Sequence, residues 1–330
     1  MLLHHRFGKL FTAPAVLFAA LCWATAASAA IIVNDTWRDG NRNQPDAPTN
    51  SIPYAENNGV TGTDADSDLD LESRWFRGGA GTLDPVDVGG GVFNLRGTLL
   101  PPPSTSSASW TTYFTNQEGN EVKLAQVGDK LCLTWVFKLA DVNLSNGSQA
   151  FRLAVVDSPA RLAADGSPAA GVYTGYGLFG NMGQTFGHSR PWDLMTRNAP
   201  SAELLSASGA WTSAGVQDGT NGAAGYANGV QYTFTFMAER LVDDDLRVSM
   251  RLDGTGLNGG AGFLESVYTD ANPASFNFDT FSLRPGRGDQ TALTFDTSLL
   301  RVEYKPIPEP ASLALLALGG VALLAMRRRD

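Results

Sequence analysis

Alternation of apolar and polar residues with a period of two is the feature that most constrains the fold of this chain. Two rows show it: Leu131, Leu133, Trp135, Phe137 and Leu139 in the first, and Leu246, Val248, Met250 and Leu252 in the second. Polar or charged residues separate the members of the second row, which predicts a strand with one buried and one solvated face. No stretch between residues 31 and 305 keeps a helical period. The body is therefore predicted to be all-β and antiparallel.

Turn signals separate the predicted strands. Asn-Gly and Asp-Gly pairs, which accept the positive φ of tight turns, occur at 58–59, 146–147, 165–166, 218–219, 221–222, 228–229 and 253–254. Further strands are predicted at 92–100, 109–115, 150–156, 172–180, 230–240, 274–283 and 292–304. Together they predict a two-sheet antiparallel jelly-roll sandwich. The order of the last predicted strands resembles the concanavalin A-like lectin and glucanase sandwich, an architecture that hosts binding modules, enzymes and structural domains alike.

Histidine and cysteine chemistry is nearly absent. The chain has 3 His and 2 Cys, and all but His188 and Cys132 fall in the first 22 residues. One cysteine in the body excludes an intrachain disulfide there, and one histidine excludes a zinc site built from several His or Cys ligands. The formal net charge is −9, which argues against nucleic acid as a partner because phosphate binding needs clustered basic residues.

The N-terminus has the three parts of a secretory signal peptide. A basic start is followed by an apolar run at 15–23 and by the small residues Ala27, Ser28 and Ala29. We expect signal peptidase to cleave after Ala29. A retained membrane anchor is the alternative, although the apolar run is short for a span.

The C-terminus combines a proline-rich motif, an apolar segment and a basic end. Pro308, Glu309 and Pro310 precede 16 small or apolar residues at 311–326, and Arg327, Arg328 and Arg329 follow. A helix of that length is about 24 Å long, and the arginines can reach the membrane surface by extending along it. The segment predicts a transmembrane helix with its arginines on the cytoplasmic side. An ordinary tail anchor is the alternative.

These three parts, in this order, resemble the PEP-CTERM sorting signal of Gram-negative bacteria that make extracellular polysaccharide. The resemblance implies processing at Pro308–Pro310 by an exosortase, loss of the helix, and sorting from the inner membrane to the cell surface or extracellular matrix. It covers only the tail and implies nothing about the chemistry of the body. The predicted parts of the chain are a signal peptide (1–29), a loop-rich N-terminal part (30–90), a β-sandwich (91–305) and the sorting tail (306–330).

An acidic run makes calcium the one cofactor that the sequence suggests. Asp64, Asp66 and Asp68 alternate as calcium ligands do at the start of a helix-loop-helix site, but Leu69 and Trp75 stand where that site needs Gly and Glu. The prediction is therefore a looser calcium site in a sandwich loop. A solvated acidic loop without an ion is the alternative.

Tryptophans predicted in or near loops are candidates for contact with a glycan, namely Trp110, Trp192 and Trp211. Sugars stack on exposed aromatic faces that lie beside polar side chains. The alternative is that each of these indoles packs in the core or under a loop.

No catalytic constellation is evident. The Glu-x-Asp-x-x-Glu string of retaining sandwich glucanases does not occur in the chain. His188 with Arg190 is the remaining candidate pair, and an exposed loop is the alternative for both. The preferred function is a non-catalytic surface or matrix protein, either associated with polysaccharide or structural. The alternative is a hydrolase or lyase that acts on glycans.

Overall fold

Two large antiparallel sheets make up the described part of the computed structural model, which comprises residues 29–42, 69–116, 118–197 and 201–307. In chain order the strands are β1 (Ala30–Asp35), β2 (Trp75–Gly79), β3 (Thr82–Gly89), β4 (Val92–Thr98), β5 (Ala108–Tyr113), β6 (Val122–Lys123), β7 (Lys130–Val142), β8 (Ser145–Asn146), β9 (Phe151–Asp157), β10 (Thr174–Gly180), β11 (Thr185–Phe186), β12 (Trp192–Arg197), β13 (Thr212–Asp218), β14 (Gln231–Arg240), β15 (Leu246–Gly254), β16 (Phe263–Asp270), β17 (Asn277–Phe278), β18 (Thr280–Gly286) and β19 (Ala292–Lys305). Short 3-10 helices lie at Ser208–Ala210, Val242–Asp244 and Asn258–Gly260.

The eight-stranded sheet has the order β16-β15-β14-β7-β19-β4-β3, and β1 also pairs with β19. The seven-stranded sheet has the order β13-β12-β10-β9-β18-β5-β2. Two short pairs, β8 with β11 and β6 with β17, complete the arrangement. The prediction of an all-β, two-sheet antiparallel architecture is confirmed.

Aromatic side chains from both sheets meet in the core. Trp135 on β7 lies 5.9 Å from Phe281 on β18 between ring centroids. Phe295 on β19 contacts Trp110 on β5 edge-to-face at 5.5 Å. The indole N–H of Trp135 donates to the hydroxyl of Thr297 at 3.0 Å, so this buried donor is satisfied. The predicted apolar rows of β7 and β15 are confirmed, since both are buried.

The outer faces of the two sheets differ. The eight-stranded sheet carries ion pairs on its outer face, such as Lys130 with Glu239 and Arg251 with Glu265. The seven-stranded sheet carries a second apolar cluster on its outer face, in which Tyr173, Leu204 and Trp211 from the connecting segments cover β9, β10 and β12. Strands in the middle of the seven-stranded sheet are therefore buried on both faces.

The loop-rich N-terminal part predicted at 30–90 contains three strands. β1 and β3 belong to the eight-stranded sheet and β2 to the seven-stranded sheet. All core residues lie within one compact unit, Ala29–Pro306. Within the described residues no helix has the length and apolarity needed to cross a membrane, and the helix predicted at 311–326 lies outside them.

Candidate functional site

Two arginines face each other on the outer side of the seven-stranded sheet. Arg152 on β9 and Arg284 on β18 are direct register partners. Their strand neighbours Phe151, Leu153 and Leu283 point into the core between the sheets, so both guanidinium groups extend from the opposite face. Like charges directly opposite each other on neighbouring strands are destabilising. Two directly opposed arginines are therefore unusual unless another interaction offsets their repulsion.

Local contacts hold both guanidinium groups in place. Arg152 donates from Nη1 to the carbonyl of Leu205 at 2.7 Å. Its guanidinium also lies 4.5 Å from the centroid of the Phe179 ring. Arg284 donates from Nη2 to the hydroxyl of Ser107 at 2.8 Å. These contacts with neutral groups fix the direction of the side chains and do not place a carboxylate against either guanidinium.

Neither arginine forms an ion pair with any residue in the described part of the chain. Burial, and then the charge of Arg284, lower the pKa of Arg152 to about 10. Burial also lowers the pKa of Arg284, which Glu203 raises to a smaller extent. A bound anion would oppose both effects because it favours the charged form of each arginine.

The arginines line an open cavity of about 520 Å³. The other lining residues are mainly hydrogen-bonding groups: Thr105, Ser107, Ser148, Gln149, Ala150, Phe179, Ser208, Arg287 and Gln290. Arg287 is paired with Asp289 through two hydrogen bonds of 2.9 Å, so it contributes less free charge than the other two. Guanidinium groups bind carboxylates or sulfates in two-point contacts, and the hydroxyl and amide groups can bond to sugar hydroxyls. We name this feature the arginine cavity.

An acidic trio lies at the other end of β9. Oxygens of Glu121, Asp157 and Asp279 lie within 4.8 Å of one another. Burial is the first cause that raises the pKa of Asp157, to about 6, and that of Asp279, to about 7. Arg161 donates from Nη2 to Asp279 at 2.8 Å, so a cation of the protein already occupies this cluster. Asp279 is fully buried and therefore cannot face a substrate as one of two catalytic carboxylates.

A smaller cavity of about 160 Å³ is lined by the ends of β10 and β12 of the seven-stranded sheet and of β16 of the eight-stranded sheet. There the hydroxyl of Tyr176 donates to Asp270 at 2.8 Å. Burial raises the pKa of Tyr176, and the bond to Asp270 raises it further, so both disfavour loss of the phenolic proton.

The three tryptophans predicted to contact a glycan are buried. Trp110 is 2% exposed, Trp192 0% and Trp211 5%. Trp110 and Trp192 belong to the core between the sheets, and Trp211 donates its indole N–H to the carbonyl of Leu204 at 2.7 Å. None of the three offers an indole face to a sugar, so the structure corrects this prediction. The physical reason is that both faces of the seven-stranded sheet are covered: Trp110 and Trp192 pack on its inner face, and Trp211 packs in the cluster on its outer face.

The candidate catalytic pair, His188 and Arg190, makes contacts with neighbouring residues, and the single cysteine of the body lies in a strand. Nδ1 of His188 accepts from the backbone N–H of Arg190 at 3.0 Å, and the Arg190 side chain pairs with Asp193 at 3.0 Å. Cys132 is half-buried on β7. Burial raises the pKa of its thiol, which disfavours the nucleophilic thiolate.

Most of the predicted processing and calcium residues lie outside the described residues. These are Ala27, Asp64, Asp66, Asp68, Pro308, Glu309, Pro310, Arg327, Arg328 and Arg329. Ala29 is described, and it is exposed immediately before β1. The predictions for signal cleavage, for the individual processing residues and for calcium binding at 64–68 therefore remain predictions.

Sequence reasoning missed Arg152 and Arg284. They are far apart in the chain, and only the register of β9 against β18 brings them together. One local signal existed for Arg152, which stands within the otherwise apolar run Phe151 to Val156. A charge in such a run marks either a solvated face or a site.

Solved structures similar to this chain include three that share 12–13% of its sequence. The VIP36 exoplasmic/lumenal domain in its Ca²⁺/Man3GlcNAc-bound form is 12% identical, over 71% of this chain and 85% of that chain, with a TM-score of 0.39. The metal-free Emp46p carbohydrate recognition domain is 12% identical, over 76% and 95%, with a TM-score of 0.38. The CBM2 module of Lactobacillus casei BL23 phage J-1 evolved Dit is 13% identical, over 85% and 98%, with a TM-score of 0.36.

No curated protein matches the chain. A family model does match its end: residues 306–329 match the PEP-CTERM protein-sorting motif. This match covers the proline-rich motif, the apolar segment and the arginines described above. Residues 306–329 are therefore a PEP-CTERM sorting motif, which implies export and exosortase-dependent sorting to the surface of a Gram-negative bacterium.

Proposed function

We propose that this protein is an exported, non-catalytic protein of the cell surface or extracellular matrix that binds acidic polysaccharide in the arginine cavity. The observation that carries the proposal is the opposed pair Arg152 and Arg284, half-buried and without an ion-pair partner among the described residues. A uronate carboxylate or a sulfate group would supply the missing negative charge. The hydroxyl and amide groups around the pair suit the ring hydroxyls of a sugar.

The charge of the whole chain supports a selective site. With a formal net charge of −9, most of the surface repels a polyanion, and salt at physiological strength limits that repulsion to about 8 Å. Binding of an acidic polymer would therefore depend on the arginine cavity itself and not on general basic character.

Processing at both ends is the second part of the proposal. Signal peptidase cleaves after Ala29, the helix at 311–326 holds the precursor in the inner membrane, and exosortase acts at Pro308–Pro310. The exported body is a jelly-roll sandwich. Mass spectrometry of the surface-associated protein tests this: we expect peptides that begin at Ala30 and none from 313–329. Recovery of the 313–329 peptide from mature protein would contradict removal of the tail.

A hydrolase or lyase is the alternative function, because Asp157 has a pKa raised to about 6 and lies beside Glu121. An acid with such a pKa suits proton transfer near neutral pH. Against it, the hydrogen bonds to Asp279 and the position of Arg161 make the trio a structural network. Release of reducing ends from an acidic polysaccharide, with loss of that activity in Asp157→Asn, would favour the enzyme.

A binding experiment tests the arginine cavity. Protein spanning 29–306, which contains every described core residue, is titrated with polygalacturonate and with neutral dextran. We expect binding of the acidic polymer only, and a loss of about tenfold or more in affinity for Arg284→Gln, as for the loss of a charge-assisted contact. Arg284 is the better residue to substitute because Arg152 also donates a hydrogen bond to the carbonyl of Leu205.

Arg247→Gln is the matched control. Arg247 lies on β15 in the other sheet, 46% exposed, and its pair with Glu239 is long at 3.5 Å. Both variants should keep the unfolding temperature of the unmodified protein within a few degrees. Equal loss of binding in the two variants, or equal binding of dextran, would reject the arginine cavity as the site.

A further inference from the structure

Four carboxyl groups gather where β1 ends. Asp35 is the last residue of β1, and Asp39 follows in the next turn. Asp70 and Glu72 come from the segment before β2, which pairs with β1 through backbone hydrogen bonds between Asn34 and Leu71 of 2.9 and 3.4 Å. The charges of Asp35, Asp39 and Asp70 all act on Glu72. We call this group the N-terminal acidic cluster.

Glu72 is buried and points into the cluster without a donor. Its exposed fraction is 4%, and neither of its carboxylate oxygens accepts a hydrogen bond from a described residue. The close polar neighbour of its side chain is Asp39, another acid. A buried carboxyl group with no donor is costly, since burial removes the water that would solvate it. These oxygens therefore need a donor or a positive charge, which a bound cation would supply.

Hydrogen bonds hold the carboxylates of two other members. Asp35 is 1% exposed and accepts from the backbone N–H groups of Trp37 at 3.0 Å and Ser73 at 3.3 Å. Asp70 accepts from the backbone and hydroxyl of Thr36 with the same carboxylate oxygen, at 2.9 Å each. These bonds set the direction of the carboxylates. Neither Asp35 nor Glu72 forms an ion pair with a residue of the described ranges.

Electrostatics agree with the geometry. Burial, and then the neighbouring acids, raise the pKa of Glu72 to about 10. Burial also raises the pKa of Asp35 well above its ordinary value, and the charges of Asp70 and Asp39 add to it. Both shifts disfavour the charged forms of Asp35 and Glu72, as expected for buried acids that lie close together.

We propose that the N-terminal acidic cluster binds a calcium ion through carboxylate oxygens of Asp35, Asp39, Asp70 and Glu72. Oxygen ligands exclude the soft metals, which prefer sulfur and nitrogen. Several carboxylates in one place suit calcium, which takes six to eight oxygens in a flexible arrangement, better than magnesium, which keeps most of its waters. The ion would join the end of β1 to the segment that enters β2, and so tie one strand from each sheet. This site is independent of the arginine cavity.

The acidic trio at Glu121, Asp157 and Asp279 is the contrasting case. There Arg161 pairs with Asp279 and supplies the positive charge that a calcium ion would otherwise supply. The N-terminal acidic cluster differs in that its most buried members, Asp35 and Glu72, have no such partner in the described ranges. The two clusters therefore provide matched variants for one experiment.

The test measures calcium binding to protein spanning 29–306 at neutral pH, first stripped with chelator. Isothermal titration with calcium chloride should show one ion per chain, with a dissociation constant of about 0.1 to 1 mM, the range of extracellular calcium modules. Calcium should also raise the unfolding temperature, and magnesium at equal concentration should raise it less. Glu72→Gln should weaken calcium binding about tenfold or more, while Asp157→Asn should leave it unchanged.

Glu72→Gln is chosen because it should fold. Glutamine keeps the shape of the glutamate side chain and carries no charge that would need a partner in the buried position of Glu72, so the unfolding temperature in chelator should match that of the unmodified protein. A triple variant, Asp64→Asn with Asp66→Asn and Asp68→Asn, tests the alternative acidic run. The proposal is overturned if no calcium binds at 10 mM, if Glu72→Gln binds as well as the unmodified protein, or if only the triple variant loses binding.

Discussion

Gly97 on β4 lies against the ring of Trp110, and a side chain at this position would overlap that ring. Trp110 cannot move easily, because it is buried and packs edge-to-face on Phe295. We expect Gly97→Ala to lower the free energy of unfolding by about 1–3 kcal/mol, the usual cost of overpacking a core. Gly209→Ala is the control, since a Cβ there meets nothing within 4 Å. Urea unfolding of both variants checks this, and equal stabilities would contradict the packing argument.

The pKa of Asp157 predicts a dependence of stability on pH. Burial raises it to about 6 in the folded protein, Glu121 and Glu118 add to the rise, and Ser275 and Arg161 oppose it. The folded state therefore holds a proton that the unfolded chain releases near pH 4, so stability falls as pH rises from about 4 to 6. We expect a decline of about 1–2 kcal/mol, less than the full shift allows because the group is half-buried.

Asp157→Asn separates this contribution from the rest. Asparagine cannot ionise, so the variant should lose less stability between pH 4 and pH 6 than the unmodified protein does. Thermal unfolding across that range measures the difference. Parallel curves for the two proteins would show that Asp157 titrates at an ordinary pKa.

Among the connecting elements, the segment 201–211 depends on one buried arginine. Arg197 at the end of β12 is 1% exposed and donates to the carbonyls of Ala202 at 2.6 Å and Leu204 at 2.7 Å. Arg197→Met keeps the length of the side chain but leaves these carbonyls without their donor. We expect a loss of about 2–4 kcal/mol and faster amide exchange at 201–211.

Arg251→Met is the control for the arginine substitution. Arg251 on β15 is 35% exposed and pairs with Asp253 and Glu265 on the open face of the eight-stranded sheet. Exposed pairs contribute about 1 kcal/mol or less, so Arg251→Met should have little effect on stability and none on exchange at 201–211. Similar exchange in the two variants would mean that Trp211 and Leu204 hold the segment without Arg197.

The bounds of strands with one solvated face could be predicted well from the sequence. The bounds of strands buried on both faces could be predicted less well. β15 alternates because its outer face meets water, and its predicted range at 246–252 agrees with Leu246–Gly254. On β18 the burial is nearly continuous, so no period marks an inner face. The strand predicted at 274–283 is two strands, β17 and β18, separated at the buried Asp279.

The candidate sites depend on contacts between distant parts of the chain, which explains what the sequence could not predict. Arg152 and Arg284 meet only through the register of β9 and β18. Glu72 joins Asp35 only because Asn34 pairs with Leu71. By contrast, the sorting motif is local, since its parts follow one another in residues 306–329, and local patterns are what a single sequence carries best.

At the scale of the whole molecule, both sheets are built from both halves of the chain. The eight-stranded sheet combines β1, β3, β4 and β7 with β14, β15, β16 and β19, and its first and last strands pair with each other. The seven-stranded sheet likewise places β18 between β9 and β5. Rings from the two sheets interlock in one core, as Phe234 does with Trp192 and with Phe281. Neither half can therefore bury its apolar face alone.

This topology predicts a single cooperative unfolding transition for protein spanning 29–306. Far-ultraviolet circular dichroism reports the strands. Tryptophan fluorescence reports mainly the shared core, which contains Trp37, Trp75, Trp110, Trp135 and Trp192, while Trp211 lies in the outer cluster. Because the sheets lose their common core together, the two signals should coincide in urea and give the same midpoint. Two separate transitions would contradict this, and would mean that one sheet keeps its structure after the contacts between Trp135 and Phe281 have been lost.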